Sequence, residues 1–310
     1  MKITILGTGA IGSLFAAGLA QNHDLTCVVG TKKHADSINR SGIRIMEKDG
    51  NIRSVSARAV TDTSGAEPSD LVLIAVKAPV TASAVSLHRN LFGPRTLAVS
   101  LQNGYGNHID IETVVPPQNI IIGTTSQGAN TASDGTVRHA GSGSTVIGAL
   151  IPEAEGTASA ASSLFGIKTI FEEAGFPTVI TEDAEDAVIR KLFINVGINA
   201  VCALSDVQNI HIVSDPDKNH LSHRLVEEAV KIFNCTGRSY DAEKIWDQVQ
   251  SVARATGENY CSMVQDIRNR RPTEIGRING AVVKTAENIH EDAPLNRRIT
   301  EQIEALTEKF

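Results

Sequence analysis

The chain of 310 residues has only four cysteines, Cys27, Cys202, Cys235 and Cys261, and they are scattered. No CxxC pair and no metal-ligand spacing occurs among them, so no metal centre is expected. A disulfide framework is not expected either, since it serves small secreted domains rather than a chain of this length. A reducing, cytoplasmic setting fits this usage. Long basic runs are absent and the formal net charge is −6, which argues against nucleic acid or a membrane surface as partner. Anionic small molecules remain open, because a local site can oppose the overall charge. There is no internal repeat and no low-complexity tract, and the apolar share of 41% is ordinary for a globular protein. One stretch lacks charge altogether. Residues 3–20, ITILGTGAIGSLFAAGLA, come after Met1-Lys2 with the texture of a signal peptide or short membrane span. The glycines at 7, 9, 12 and 18 favour another origin.

What is present in the first half is a series of short β-branched runs: 2–7, 25–30, 71–76, 96–101 and 119–126. Continuous apolar runs are the mark of parallel strands covered on both faces. Helix-like stretches separate several of them, so the expected class is α/β, a Rossmann-type doubly wound sheet. Residues 135–149 read as a hairpin-like pair, and a helix near 155–174 with a strand at 176–181 closes the domain. Beyond residue 182 strand-like runs vanish. Helical periodicity runs through 183–206, 217–234, 241–255, 257–270, 273–289 and 296–309, with Asp217 as an N-cap in the turn before the second of these. The expected division is therefore 1–181, a dinucleotide-binding domain, and 182–310, an all-helical domain carrying the substrate and catalytic groups.

The loop Gly7, Thr8, Gly9, Ala10, Ile11 and Gly12 succeeds the first strand and opens a helix, which is the setting the G-x-G-x-x-G fingerprint requires. Gly7 permits a tight turn, Gly9 lets backbone approach a pyrophosphate, and Gly12 lets helix pack on strand. The helix N-terminus presents free N–H groups to phosphate oxygens. An NAD site places an acid about 20 residues further on. Here the second strand ends in Gly30-Thr31-Lys32-Lys33, and no acid appears before Asp36. A hydroxyl and two ammonium groups suit a 2′-phosphate, so NADP(H) is the expected cofactor. The competing reading is a solvated helix start.

Lys77 and Asn103 come directly after the strands ending near 76 and 101. They fall at the carboxyl edge, where open parallel sheets bind ligands. Lys77 can equally be an ordinary exposed lysine, and Asn103-Gly104 an ordinary turn. In the second half, VIRKLFINVGIN (188–199) is apolar nearly all round yet carries Lys191, Asn195 and Asn199 at four-residue steps. Such steps make one drifting stripe, about 6 Å between neighbours along the axis. An ammonium in an apolar helix is costly unless it meets water, a partner or a ligand, and buried amides need partners. One reading is a structural polar seam between domains. The other is a stripe facing the cleft between them, with Lys191 donating a proton while the amides hold substrate oxygens. In SMVQDIRNRRPTEIGRING (262–280), Ser262 and Asp266 stand one helical turn apart. Pro272 suits the first turn of a new helix, whose dipole alone would account for Glu274. Asp266, Arg268, Arg270 and Arg271 read as a solvated charged stretch.

Taken in order, GTGAIG, VKAP (76–79), SLQNG (100–104), RKLFINVGINA (190–200), the 262–280 segment and APLN (293–296) resemble the 2-dehydropantoate 2-reductase, or ketopantoate reductase, family over nearly the whole chain. The resemblance implies a Rossmann domain followed by a helical domain, with the active site between them. It implies NADPH-dependent reduction of a 2-oxo acid to its 2-hydroxy acid in pantothenate and coenzyme A biosynthesis. It also implies Lys191 as general acid and Glu274 as acceptor from the substrate's hydroxyl. Asn195, Asn199 and Ser262 then hold substrate, Asn103 and Lys77 lie where cofactor and substrate meet, and Gly7, Gly9 and Gly12 sit under the pyrophosphate. Two positions depart from the family: Thr31 stands where an arginine often meets the 2′-phosphate, leaving that task to Lys32 or Lys33, and Val80 stands where a glutamine is common. The rival readings are a reductase of a different branched 2-oxo acid and a non-catalytic NADP(H) sensor. A homodimer is left open.

Overall fold

The computed structural model describes residues 1–47, 49–151, 160–308 and 310. They form two compact units, Met1–Gln102 with Asn107–Ala187, and Asn103–Gly106 with Val188–Phe310. The division falls inside a helix rather than ahead of it, and the four residues 103–106 belong to the second unit although the chain around them belongs to the first.

The strands are β1 (Lys2–Leu6), β2 (Asp24–Val28), β3 (Ile43–Met46), β4 (Ile52–Val55), β5 (Arg58–Val60), β6 (Leu71–Ile74), β7 (Leu97–Ser100), β8 (Ile120–Thr125), β9 (Gly128–Ser133), β10 (Thr136–Gly141), β11 (Thr145–Ala149) and β12 (Thr178–Ile180). The first unit also holds α1 (Ala10–Leu19), α2 (Lys32–Ser41), α3 (Thr81–Leu87), α4 (Asn107–Glu112) and α5 (Ala160–Glu173). Its main sheet has the order β12-β11-β8-β7-β6-β1-β2-β5. Neighbours are parallel except β8 and β11. The chain steps from β1 to β2 on one side, and β6 and β7 lie on the other, so the order reverses at β1. That reversal opens a crevice at the carboxyl ends of the strands, the usual ligand edge of such sheets. Residues 71–74 and 3–6 are buried throughout, which explains runs with no polar alternation.

A second sheet, β4-β3-β10-β9, has no counterpart among the sequence expectations. Its strands are weakly marked: β3 buries only Ile43 and Ile45 in alternation, β4 is largely exposed, and β9 reads GANTAS. The segments at 136–141 and 145–149 are strands as expected, but they are not a hairpin. β10 pairs with β3 and β9, whereas β11 pairs with β8 and β12. Helix α1 packs against β1 of the main sheet, β3, β9 and β10 of the second, and α5. Phe15 stacks on Phe176 at 4.0 Å and meets Phe171 edge-on at 5.3 Å. A helix covered on so many sides has no face left for charge, which accounts for the charge-free stretch 3–20. The expected helix near 155–174 is α5 from residue 160 onward, and its first residues lie outside those described.

The second unit is helical: α6 (Ala184–Ser205, from residue 188), α7 (His211–Ser214), α8 (Pro216–Cys235), α9 (Ala242–Ala255), α10 (Ser262–Arg268), α11 (Asn279–Asn288) and α12 (Pro294–Thr307). Helix α6 is its axle. Leu192, Phe193, Val196, Ala200 and Cys202 are fully buried. Gly197 lies so close to its neighbours that an added Cβ would stand 2.7 Å from Val249 and 3.0 Å from Val226, and the Ser222 hydroxyl donates to its carbonyl. Packing by α8 and α9 thus requires an apolar surface nearly all round. Among the described residues α6 alone is long and apolar enough to cross a membrane, and 61% of its apolar window is buried inside the protein. The cap of α8 is Asp215, not Asp217. Its carboxylate accepts from the backbone of Asp217 and Lys218, while Pro216 takes the first helical position, where no N–H is needed. The APLN segment is structural. The Glu228 carboxylate accepts from the backbone of Leu295 and Asn296, and buried Asn296 bonds Glu228, Leu225 and Asn279.

Candidate functional site

The glycine loop of the first unit has the shape its sequence calls for. Gly7 has φ of +97°, and a Cβ there would lie 2.5 Å from Val76. A Cβ on Gly12 would lie 2.1 Å from the Gly7 carbonyl oxygen, so helix and turn meet without side chains between them. Gly9 differs: a Cβ would meet nothing within 4 Å. The space beside Gly9 is open, as a backbone cradle for a pyrophosphate requires, and the residues present fit a dinucleotide. Thr8 is buried, and Ser13 donates to its carbonyl. Ala10 and Ile11 open α1.

Around this loop the other strand ends supply polar groups. Thr31 caps α2, its hydroxyl accepting from His34 N–H at 3.3 Å. Lys32, exposed, is the first helical residue. Lys33 is also exposed, but its ammonium lies 2.8 Å from the Asp134 carboxylate, which offsets its charge, so of the two lysines Lys32 is the better placed for a phosphate. Lys77 is exposed and caps the short 3-10 turn 78–80, with Val80 45% exposed beside it. Gln102 is a further polar group of this edge, one the sequence does not single out. Buried, it donates to the Val76 carbonyl and the Thr81 hydroxyl, each at 2.8 Å, and accepts from Ser100 at 3.0 Å. It therefore ties the end of β7 to the loop after β6.

In the second unit the stripe on α6 converges with residues from three other segments. Lys191 is half-buried. Desolvation of its amine pulls the pKa down to about 8, and the Glu274 carboxylate pulls in the opposite direction. Glu274 is buried and accepts from Asn103 Nδ2 at 3.3 Å. The amide nitrogen of Asn195 is buried without a hydrogen-bond partner among the described residues, a deficit that a ligand oxygen would satisfy. Asn199 is buried, and its carbonyl accepts from Cys261 Sγ at 3.6 Å. This contact sets the start of α10 against α6, with exposed Ser262 as the first residue of α10.

Two expectations near Glu274 fail. No α-helix begins at Pro272; Glu274 instead precedes a three-residue 3-10 turn, 275–277, without a side-chain hydrogen bond to it. A turn so short has little dipole to hold a carboxylate, so burial of Glu274 beside Asn103 and Lys191 needs another reason. Nor is 266–271 a solvated stretch throughout. Asp266 is buried, whereas Arg268, Arg270 and Arg271 are exposed as expected, Arg268 bonding Asp206 at 2.7 Å and lying 3.7 Å over the Tyr260 ring. Away from this site, His223, Glu227 and Glu243 gather ligand-type atoms within 4.8 Å of one another. His223 is stacked on Trp246, and its Nε2 lies 3.9 Å from Glu227 one turn further along α8 and 3.6 Å from Glu243 on α9.

Comparison with known proteins adds an independent line. The family model described as "Ketopantoate reductase PanE/ApbA" matches residues 3–152, and its C-terminal counterpart matches 183–307. The 2-dehydropantoate 2-reductase of Halobacterium salinarum is 33% identical over 305 residues, covering 98% of either chain. That of Pyrococcus horikoshii is 33% identical over 296 residues, covering 96% of this chain and 94% of its own. Among solved structures, a ternary complex of D-mandelate dehydrogenase with NADH and anilino(oxo)acetate superposes with a TM-score of 0.93 at 26% identity, covering 100% of this chain and 99% of that one. A glycine loop that fits a dinucleotide, a lysine–carboxylate pair on a helical unit, two family models laid end to end and relatives 33% identical over nearly the whole chain agree: the chain belongs to the ketopantoate reductase PanE/ApbA family of oxidoreductases.

Proposed function

We propose that the protein reduces 2-dehydropantoate to pantoate with NADPH, the step that serves pantothenate and coenzyme A synthesis. The observation that carries this reading is Lys191, an amine in a largely apolar helix whose pKa is drawn to about 8 beside the buried Glu274. The nicotinamide, when bound, supplies a hydride to the C2 carbonyl carbon. Lys191 meets the oxygen of that carbonyl: its ammonium stabilises the developing negative charge and passes a proton to it. A lysine with a pKa near working pH both holds and releases that proton. Glu274 accepts from the substrate's hydroxyl, and an analogue without one leaves a buried carboxylate short of a donor. Asn195 donates its amide to a substrate oxygen, and Asn199, Ser262 and Asn103 complete the polar frame. The backbone from Gly7 to Gly12 cradles the pyrophosphate, and Lys77 flanks the same edge.

The preference for NADP(H) rests on the residues just past the end of β2. No acidic residue lies between Gly30 and Lys33 to repel a 2′-phosphate, and the nearby Asp134 carboxylate is paired with Lys33; the Thr31 cap, the α2 N-terminus and Lys32 are all suited to attract one. A second reading, another branched or aromatic 2-oxo acid with NADH, is favoured by two features. The D-mandelate dehydrogenase structure that superposes on this chain holds NADH, and exposed Val80 gives this chain an apolar surface at the turn after β6. Cofactor consumption across a panel of 2-oxo acids, with both NADPH and NADH and with product identification, decides. The highest kcat/KM is expected for ketopantoate with NADPH. A higher value for a 2-oxo acid lacking the hydroxyl would transfer the activity to that substrate.

A further inference from the structure

The segment 103–106 is a four-residue strap that leaves the first unit after Gln102 and packs within the second. Its geometry is over-determined. Gly104 and Gly106 both have positive φ, +86° and +83°. A Cβ on Gly104 would stand 2.3 Å from the Arg277 carbonyl oxygen. The Tyr105 N–H donates to that same oxygen at 2.8 Å, and Arg277 Nη1 donates to the Gly106 carbonyl at 3.2 Å. The Tyr105 ring meets Phe233 edge-on at 5.3 Å. Arg277 is in turn fixed to the backbone of Glu274, since its own N–H donates to the Glu274 carbonyl at 2.9 Å. The ring closes where Asn103 Nδ2 reaches the Glu274 carboxylate at 3.3 Å. The hydrogen bonds of this circuit all pass through Arg277 or Glu274.

We propose that Arg277 is a positioning residue: by clasping the strap at Tyr105 and Gly106 it holds the Asn103 amide on the Glu274 carboxylate in the orientation that receives substrate. Nothing in this role requires Arg277 to touch a ligand. A carboxylate whose donor sits on a loose loop can swing with that loop, and a displacement of about 1 Å in a binding group costs on the order of 10²-fold in rate. The clasp removes that freedom: Gly104 packs directly against the Arg277 carbonyl, that carbonyl accepts from the Tyr105 N–H, and the guanidinium pins the far end at Gly106. The role rests on the proposed reductase function, and its substrate class is the same hydroxyl-bearing 2-oxo acid.

Two measurements on the full chain test it together. In the first, kcat and KM for ketopantoate are compared among wild type, Arg277→Ala, Asn103→Ala and the double variant. Residues acting through one contact are non-additive. Each single change is expected to lower kcat/KM about 10-fold or more, with the double variant no worse than Asn103→Ala, NADPH affinity unchanged in Arg277→Ala, and Arg277→Lys restoring part of the loss by supplying another donor to Gly106. Multiplying losses in the double variant, or a wild-type rate in Arg277→Ala, overturns the proposal. Gly104→Ala is the second strap variant and is expected to reproduce the Arg277→Ala pattern, should that protein fold poorly. In the second measurement, amide hydrogen exchange of a peptide covering 103–106 is compared without ligand. Faster exchange in Arg277→Ala supports the clasp, and unchanged exchange overturns it. If wild type reduces no 2-oxo acid, the reductase reading fails on its own, while the exchange result still decides whether Arg277 clasps the strap.

Discussion

The two units offer ligand groups in opposite ways. The first presents backbone: the turn at Gly7, open space beside Gly9 and the capped start of α2 are all main-chain features at one sheet edge. The second presents side chains, an ammonium, amides and a carboxylate set into a helical core. A backbone site depends on the absence of side chains, so it is sensitive to what is added. A side-chain site depends on functional groups held against an apolar packing pattern, so it is sensitive to what is removed. The first arrangement suits a bulky common cofactor, the second a small and particular substrate.

The contrast is broken most severely at Gly12. Gly12→Val should abolish NADPH binding in a fluorescence titration, because its Cβ would strike the Gly7 carbonyl oxygen at 2.1 Å. Gly9→Ala, by contrast, should melt like wild type, since its Cβ meets only open space, yet weaken NADPH by about 10-fold through intrusion on the ligand side. In the second unit, Lys191→Met should slow turnover at least ~100-fold and still raise thermal stability. The native pKa of about 8 lies below the ordinary 10.5. Below pH 8 the native state therefore bears the full cost of holding a desolvated charge, and the cost fades as pH rises from 8 to 10.5. The stability gain of the methionine variant, on the order of 1–3 kcal/mol at pH 7, should shrink over that interval in calorimetry. Asn195→Ala should raise the KM for the 2-oxo acid about 10-fold with little loss of melting temperature, because the amide nitrogen it removes has no hydrogen-bond partner among the described residues. The smallest effect is expected at exposed Lys32. Its replacement by Ala should lower the NADPH-over-NADH preference several-fold, about 1 kcal/mol, while Lys33→Ala leaves the preference unchanged because that ammonium serves Asp134.

The same contrast governs how much the sequence reveals. The main sheet is legible because strands buried on both faces read as nearly continuous apolar, β-branched runs, and the glycine loop because its spacing and place are distinctive. The second sheet is not, because one-sided strands such as β4 and β9 carry almost no apolar signal. Its existence is nonetheless encoded indirectly: α1 has no charged face only because another layer covers it. In the helical unit, Lys191, Asn195 and Asn199 stand out as polar residues in an apolar helix. Glu274 is visible as a residue but not in its setting, since its burial comes from a strap more than 160 positions earlier in the chain. Arg277 reaches Gly106 across 171 positions, and Gln102 reaches Val76 and Thr81 across 26 and 21, so neither contact gives a local signal; for Gln102 the cue is only its place within SLQNG.

Proton supply from the Lys191 ammonium to a 2-oxo acid is the step on which the proposed chemistry turns. The pH dependence of kcat/KM for NADPH-linked ketopantoate reduction, measured in wild type and in Lys191→Met, reads it out. Wild type is predicted to show a plateau at low pH and a decline as pH rises through about 8, with that break missing from the residual activity of the variant. A wild-type profile flat across pH 8, or a break that survives in Lys191→Met, would contradict it.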